Sequence, residues 1–183
     1  TNLVAGRMPL DIETCRLHEL CAIAVRSLMR KADNKHQHIT QEINPFEVEI
    51  ESSPKGVLQV LKELLENAIK FTPEGGTIEL RVTALPDEAA VSIVVADNGI
   101  GMSEEQLASI FRTFAQGDQT LARRFEGLGL GLAYVHEMVT RLGGTIAVTS
   151  TPGQGSCFAI TLPAAPPHLP VSALTEEHEP SYV

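Results

Sequence analysis

The chain has 183 residues, of which 43% are hydrophobic and 20% are charged, and these proportions are typical of one globular domain. Its formal net charge of -9 argues against sequence-independent nucleic-acid binding, which requires a basic surface. The cysteines Cys15, Cys21 and Cys157 are too few and too scattered for a disulfide framework or a zinc site. No apolar run approaches the roughly 18 residues of a membrane span, so we expect a cytoplasmic domain without direct membrane contact.

The first third of the chain predicts one long helix and two strands. Thr14 is a plausible N-cap, and the helix that follows it is predicted to run to about Lys35. Residues 39–43 and 48–50 have the composition of strands and flank Asn44-Pro45, which predicts a turn between them. The predicted apolar stripe of the helix consists of Leu17, Leu20, Ile23, Ala24, Ser27 and Leu28.

The middle of the chain predicts a second long helix and a strand pair. The helix is predicted over residues 54–71, because proline suits its first position and a Pro-Glu-Gly-Gly stretch follows it closely. Residues 77–84 and 90–96 predict two strands. Ser103, with Gln106 three residues later, has the pattern of a capping box and predicts the start of a short helix.

The last third of the chain predicts a loop, a helix and a hairpin. Residues 114–126 are polar and lack a steady period, which is typical of a mobile loop. Residues 131–142 predict a helix, and residues 145–150 and 156–162 predict the two strands of a hairpin. Residues 164–183 are rich in Pro, Glu and His, which predicts a disordered tail.

These elements alternate as helices and strand pairs, rather than as strict strand-helix-strand units. The alternation favours an α+β fold, in which helices cover one face of a mixed, mostly antiparallel sheet as a two-layer sandwich. We expect residues 10–163 to form this domain.

The second predicted helix has polar side chains at positions that share a face. Glu63, Asn67, Lys70 and Phe71 lie four, three and one residues apart, and so they project to one side of the helix. An asparagine oxygen suits Mg²⁺, and a lysine suits a phosphate. Taken alone, the pattern favours a solvated helix face with ordinary i,i+4 charges over a ligand site.

Asp97 follows an apolar strand and begins the run Asp97-Asn98-Gly99-Ile100-Gly101. A carboxylate at this position can accept a hydrogen bond from an exocyclic amine such as that of adenine, and the glycines allow backbone to approach a ligand closely. An ordinary turn with a local Asx bond explains the same residues.

A glycine run, Gly127-Leu128-Gly129-Leu130-Gly131, leads into the helix predicted over residues 131–142. Backbone amides at a helix N-terminus favour anions. The run has neither the Gly-Lys-Ser/Thr of a P-loop nor the spacing of a dinucleotide fingerprint. Arg123 and Arg124 precede it and can either reach a γ-phosphate or remain solvated surface charges.

Together these segments resemble the N, G1, F, G2 and G3 boxes of sensor histidine kinase catalytic domains. The resemblance rests on five boxes in one order, each of which is weak alone. The boxes are Glu63…Asn67-Ala68-Ile69-Lys70-Phe71-Thr72, Asp97-Asn98-Gly99-Ile100-Gly101, Ile110-Phe111-Arg112-Thr113-Phe114, Gly127-Leu128-Gly129-Leu130-Gly131 and Gly153-Gln154-Gly155-Ser156.

This resemblance implies the Bergerat fold, which is shared with DNA gyrase, Hsp90 and MutL, and it implies ATP and Mg²⁺ as ligands. It assigns the adenine amine to Asp97, the metal to Asn67 and a phosphate to Lys70. It makes residues 115–126 a lid over the nucleotide. The other implied nucleotide contacts are Phe71, Gly99, Gly101, Phe114, Arg123, Arg124, Gly127, Leu128, Gly129, Leu130 and Gly131.

Glu63 departs from the pattern, because many histidine kinases have asparagine at this position. A glutamate four residues before Asn67 resembles the general base of gyrase-type ATPases, and in a kinase it can help to orient or deprotonate a histidine. The alternatives to a kinase are therefore a gyrase- or MutL-like ATPase and a degenerate, nucleotide-free docking module. The catalytic candidates are Glu63, Asn67 and Lys70.

The phosphate-accepting histidine of the family is not evident in the chain. His18-Glu19 begins like the acceptor motif, but Leu20-Cys21 does not continue it, and we expect His18 at the surface. Residues 3–8 resemble the end of the family's dimerisation hairpin, so residues 1–9 are interpreted as its remnant. The resemblance therefore implies an acceptor on a separate hairpin, a response regulator downstream, and a monomeric fragment.

Overall fold

The computed structural model describes residues 10–116 and 129–165, and it leaves the side chains of residues 111–116 and 129–130 undescribed. The helices in these ranges are α1 (Leu17–Asp33), α2 (Pro54–Phe71), α3 (Glu104–Gln116) and α4 (Gly129–Arg141). The strands are β1 (Glu13–Arg16), β2 (His38–Asn44), β3 (Glu49–Ser52), β4 (Thr77–Leu85), β5 (Ala90–Asp97), β6 (Thr145–Thr151) and β7 (Gly155–Pro163).

The main sheet has five strands in the order β2-β4-β5-β7-β6. Its neighbours pair antiparallel, except β2 and β4, which are parallel. A separate two-stranded antiparallel sheet joins β1 to β3. The prediction of a mixed, mostly antiparallel sheet is confirmed.

Helix α2 lies at the centre of the helical layer, where it contacts α1, α4 and the strands β4 and β5. Its apolar stripe, which includes Leu61, Leu64 and Leu65, is fully buried, as are residues of the central strands such as Leu80 and Ile160. One face of the sheet therefore buries its alternate side chains under helices, which confirms the two-layer architecture.

The predicted strands over residues 39–43 and 48–50 are present, and so is the turn between them, where Val48 N–H donates to the carbonyl oxygen of Pro45 at 3.2 Å. The two strands do not, however, pair with each other as a hairpin. β2 pairs with β4 in the main sheet, whereas β3 pairs with β1 in the small one. Pairing β3 with β1 places Ile50 opposite Cys15, and both side chains become buried. The Asn44-Pro45 peptide bond is cis.

The first helix begins later than predicted, at Leu17 rather than after Thr14. Thr14 is paired with Glu51 in the small sheet, so it is a strand residue and not an N-cap. The buried stripe also differs, because Ile23 is 46% exposed while Cys21 and Val25 are buried. Leu17, Leu20, Ala24 and Leu28 are buried as predicted, so the buried face is only slightly rotated from the predicted stripe.

The predicted boundaries of the remaining elements are close to those observed. The capping box is present, because Ser103 Oγ accepts from Gln106 N–H and Gln106 Oε1 accepts from Ser103 N–H. Helix α3 extends to Gln116, through the first residues of the predicted loop, and α4 begins two residues before the predicted start. In the described ranges, no helix is both long and apolar enough to cross a bilayer.

Candidate functional site

A pocket lies where the C-terminal end of α2 meets the end of β5, the start of α3 and the start of β7. Four residues that the sequence singled out line it: Asn67, Phe71, Asp97 and Gly101. Ala68, Ile100 and Ser156 also line it, and they belong to the N, G1 and G3 boxes although no ligand contact was assigned to them. Sequence reasoning missed Met102, Gln106 and Phe158 as pocket residues. The N and G1 boxes therefore come together in space, although thirty residues of sequence separate Asn67 from Asp97.

Asp97 is the last residue of β5, and its carboxylate is oriented by two backbone amides. Oδ1 accepts from Gly99 N–H at 2.8 Å and from Ser156 N–H at 3.3 Å. Burial raises the pKa of Asp97, and the two N–H donors offset only part of that effect. Because both donors converge on Oδ1, the oxygen Oδ2 is the one that can face a ligand. The pocket thus contains a carboxylate that two backbone N–H groups fix in position, and its surroundings are largely apolar.

The two glycines of the G1 box lie against backbone. A Cβ on Gly99 would lie 2.5 Å from the carbonyl oxygen of Phe71, which also accepts from Ile100 N–H at 3.1 Å. Gly101 has φ +65°, and a Cβ there would lie 2.0 Å from the carbonyl oxygen of Thr151. These residues therefore let the loop after β5 pack between α2 and the β6–β7 hairpin, in addition to bordering the pocket.

Asn67 is the polar residue of α2 that borders the pocket. Its Nδ2 is buried and has no hydrogen-bond partner among the described residues. A buried amide with an unpaired nitrogen is costly unless a ligand pairs with it. One turn later, Lys70 places Nζ 5.3 Å from the centroid of the Phe71 ring. The amide and the cation thus lie on the same end of the same helix.

Glu63 lies one turn before Asn67 and faces the N-terminal part of α4. Its Oε1 accepts from Gln59 Nε2 at 2.8 Å, and its Oε2 lies 2.5 Å from where a Cβ on Gly131 would stand. The end of the glycine run is therefore beside the carboxylate, which sequence spacing alone does not reveal.

The C-terminal end of α2 is held by two side chains that sequence reasoning missed. Lys35 Nζ donates to the carbonyl oxygens of Ile69 at 2.7 Å and Thr72 at 2.6 Å. Gln37 Nε2 donates to the same two oxygens at 3.0 and 2.6 Å, and Gln37 is only 5% exposed. Because the last carbonyls of a helix lack intrahelical partners, these donors stabilise the turn that carries Phe71.

Several predicted site residues cannot be placed. Arg123, Arg124, Gly127 and Leu128 lie outside the described residues. Phe114 belongs to α3, and Gly129 and Leu130 belong to α4, but their side chains are undescribed. Their contacts with a nucleotide, and a lid over residues 115–126, stay predictions.

Comparison with known proteins decides the family. Residues 52–166 match the family described as histidine kinase-, DNA gyrase B-, and HSP90-like ATPase. The chain belongs to this family. Asn67, Asp97 and the pocket between them lie within the matched range, and the family is one of nucleotide-binding domains.

Its relatives and structural neighbours narrow the kind of domain. The chain is 35% identical over 166 residues to the circadian input-output histidine kinase CikA of Synechococcus elongatus, and this match covers 89% of the chain and 22% of CikA. The catalytic domain of histidine kinase ThkA superposes with a TM-score of 0.73 at 23% identity, covering 86% of this chain and 100% of that one. Full-length ShkA, solved in complex with AMPPNP, superposes with a TM-score of 0.72 at 28% identity. This match covers 86% of this chain and 32% of the ShkA chain.

These matches agree with the fold and the site. The chain is an ATPase-family catalytic domain of the kind found in sensor histidine kinases. It spans about a fifth of the length of the curated relatives that it matches first.

Proposed function

We propose that this domain binds ATP with Mg²⁺ and transfers the γ-phosphoryl group to a histidine on a separate helical hairpin. The observation that carries the proposal is the pocket that joins Asp97 to the unpaired amide of Asn67. One end offers an acceptor for the adenine amine, and the other offers an amide for the metal and phosphates. A nucleotide is the common ligand that needs both.

Magnesium fits the site as a partner of the phosphates. Among the described residues, no group of three or more His, Cys, Asp or Glu side chains could hold a metal ion. Mg²⁺ commonly takes one or two protein oxygens and completes its shell with phosphates and water. Asn67 Oδ1 would supply such an oxygen, while the unpaired Nδ2 can donate to a phosphate. When bound, Mg²⁺ would neutralise charge on the phosphates.

The protein's contribution to the reaction is mainly placement of the nucleotide. Asp97 would accept from the adenine amine, and Phe71 would pack beside the base. Lys70 would approach a phosphate as a point charge, and Glu63 would orient or deprotonate the incoming histidine. Phosphoryl transfer requires little covalent chemistry from the protein, so alignment and charge neutralisation would supply most of the rate.

The remaining parts of the proposal concern segments and partners beyond this domain. The glycine run would cradle the phosphates at the start of α4, with Arg123 and Arg124 near the γ-phosphate. The phosphorylated histidine would pass its phosphate to an aspartate of a response regulator in the cytoplasm. His18 does not fit the acceptor role. Its side chain is only 21% exposed, less than was expected of a surface histidine, and the centroid of its ring lies 4.7 Å from that of Phe46.

Replacing Asn67 with alanine is the first test of the proposal. We expect wild-type ATP affinity to increase with Mg²⁺, and we expect the variant to lose about 5- to 150-fold in affinity with the metal present, as for a lost buried polar partner. The measurement is calorimetric titration with ATP, with and without Mg²⁺. Lys55→Ala, exposed on the same helix, is the matched control. An unchanged Mg²⁺ dependence in Asn67→Ala would exclude Asn67 as the metal ligand.

Replacing Glu63 with glutamine separates the kinase from the gyrase- or MutL-like ATPase. For the kinase, we expect slow steady-state phosphate release from ATP by the wild-type domain, with little change in the variant. In a chain that carries the acceptor histidine, we expect the variant to slow histidine phosphorylation by 100-fold or more, as is typical of a lost general base. Rapid phosphate release that Glu63→Gln abolishes would instead favour an ATPase. Failure of the wild type to bind any adenine nucleotide would favour a docking module.

A further inference from the structure

Ser150, in the β6 strand, is the centre of a hydrogen-bond cluster beside the pocket. Its Oγ accepts from Met102 N–H at 2.9 Å and donates to the carbonyl oxygen of Gly155 at 2.9 Å. The hydroxyl of Ser156 also lies 2.9 Å from Ser150 Oγ. Ser150 therefore connects the segment after the G1 box to the turn of the β6–β7 hairpin, and it touches a residue that lines the pocket.

The donor in the contact between the two serines follows from counting protons. A serine hydroxyl has one proton and two lone pairs. The carbonyl of Gly155 can only accept, so it takes the proton of Ser150, and Met102 N–H takes one of the lone pairs. All three contacts are hydrogen bonds only if Ser156 donates its proton to the second lone pair of Ser150. The hydroxyl of Ser156 is then left with lone pairs alone.

The sheet places this hydroxyl next to the carboxylate that is proposed to bind adenine. Ser156 is paired with Asp97 across β5 and β7, and with Ser150 across β7 and β6. The three side chains thus form one row on the helix-covered face of the sheet, and Asp97 and Ser156 both line the pocket. Because the hydroxyl of Ser156 donates its proton to Ser150, it can only accept hydrogen bonds from a ligand. The neighbouring carboxylate of Asp97 can likewise only accept.

We propose that Ser150 is a specificity-determining positioning residue, which makes the Ser156 hydroxyl an acceptor and so favours a 6-amino purine over a 6-oxo purine. The inference rests on the proposed function, because it concerns the base end of the same nucleotide site. An adenine amine supplies donors that suit two neighbouring acceptors. A 6-oxo group would instead bring a third acceptor against them, and unpaired buried acceptors are costly.

The test is a double-mutant cycle on ATP affinity, using Ser150→Ala and Ser156→Ala. We expect Ser150→Ala alone to weaken ATP binding by about 3- to 10-fold, in the range of one hydrogen bond, and to have less than about a 2-fold effect in the Ser156→Ala background. Ser150→Thr, which keeps the hydroxyl, should bind ATP with an affinity close to that of the wild type. Thr149→Ala, exposed on the other face of the same strand, should have no effect.

The ratio of ATP to inosine triphosphate affinity is the second readout. In Ser150→Ala, the freed Ser156 hydroxyl can donate to a 6-oxo group, so this ratio should fall by about 3- to 10-fold. Equal losses of ATP affinity in both backgrounds with an unchanged ratio would overturn the proposal, because they would show a structural role only. A wild-type domain that binds neither nucleotide would instead overturn the proposed function.

Discussion

Replacing Asp97 with asparagine is expected to weaken ATP binding by about 10- to 150-fold, without reducing the stability of the nucleotide-free domain at neutral pH. The amide keeps an oxygen for the N–H groups of Gly99 and Ser156, so the local turn remains satisfied. It lacks the negative charge and presents N–H donors where the adenine amine needs an acceptor. A hydrogen bond to a charged group is worth about 1.5–3 kcal/mol, which sets the expected range. Calorimetric titration measures this loss.

The same substitution is expected to affect stability in a pH-dependent way. Burial raises the pKa of Asp97 above its unfolded value, so folding favours the protonated carboxyl. Its contribution to stability is therefore present below the ordinary aspartate pKa and is lost as the pH rises through the raised pKa. Asparagine has no charge to desolvate. The free energy of unfolding of Asp97→Asn should therefore be larger than that of the wild type at pH 7, but not at pH 3.

Urea denaturation of both proteins at the two pH values measures this difference. Asp87→Asn, at an exposed position in the turn between β4 and β5, is the control for a general change in net charge. A gain of equal size at both pH values would show that desolvation of the carboxylate is not its cause.

Replacing Gly101 with alanine is expected to destabilise the domain far more than the same change at Gly153. Both glycines have positive φ, at +65° and +75°, so each substitution strains the backbone by about 1–2 kcal/mol. A Cβ on Gly153 meets nothing within 4 Å, whereas one on Gly101 would lie 2.0 Å from the carbonyl oxygen of Thr151. Strain and overlap together predict a loss of about 3–5 kcal/mol for Gly101→Ala.

Chemical denaturation of both variants provides the comparison, with nucleotide titration under conditions where each stays folded. Gly101→Ala should also weaken ATP binding, because the displaced loop carries Met102 and borders the pocket. Gly153→Ala should bind nearly as wild type. Equal losses of stability in the two variants would mean that positive φ alone, and not contact with Thr151, governs both positions.

The sequence by itself determined the features that depend on residues near one another in the chain. The stripe of α2 follows from apolar residues at helical spacing, and the start of α3 follows from the Ser103 and Gln106 capping box. The β6–β7 hairpin follows from its turn residues. The order of the boxes also identified the family, because those residues stand at characteristic spacings along the chain.

Only the tertiary structure decided which distant segments meet. Strands β2 and β3 are separated by a short turn, as in a hairpin, yet β2 pairs with β4 in the main sheet and β3 pairs with β1, where Ile50 is buried. Lys35 and Gln37 donate hydrogen bonds to carbonyl oxygens at the C-terminal end of α2, which lie 32 to 37 residues away in the sequence. No periodicity in the sequence indicates such a contact. Strand register likewise brings Ser150 and Ser156 beside Asp97, since register depends on packing of the whole sheet.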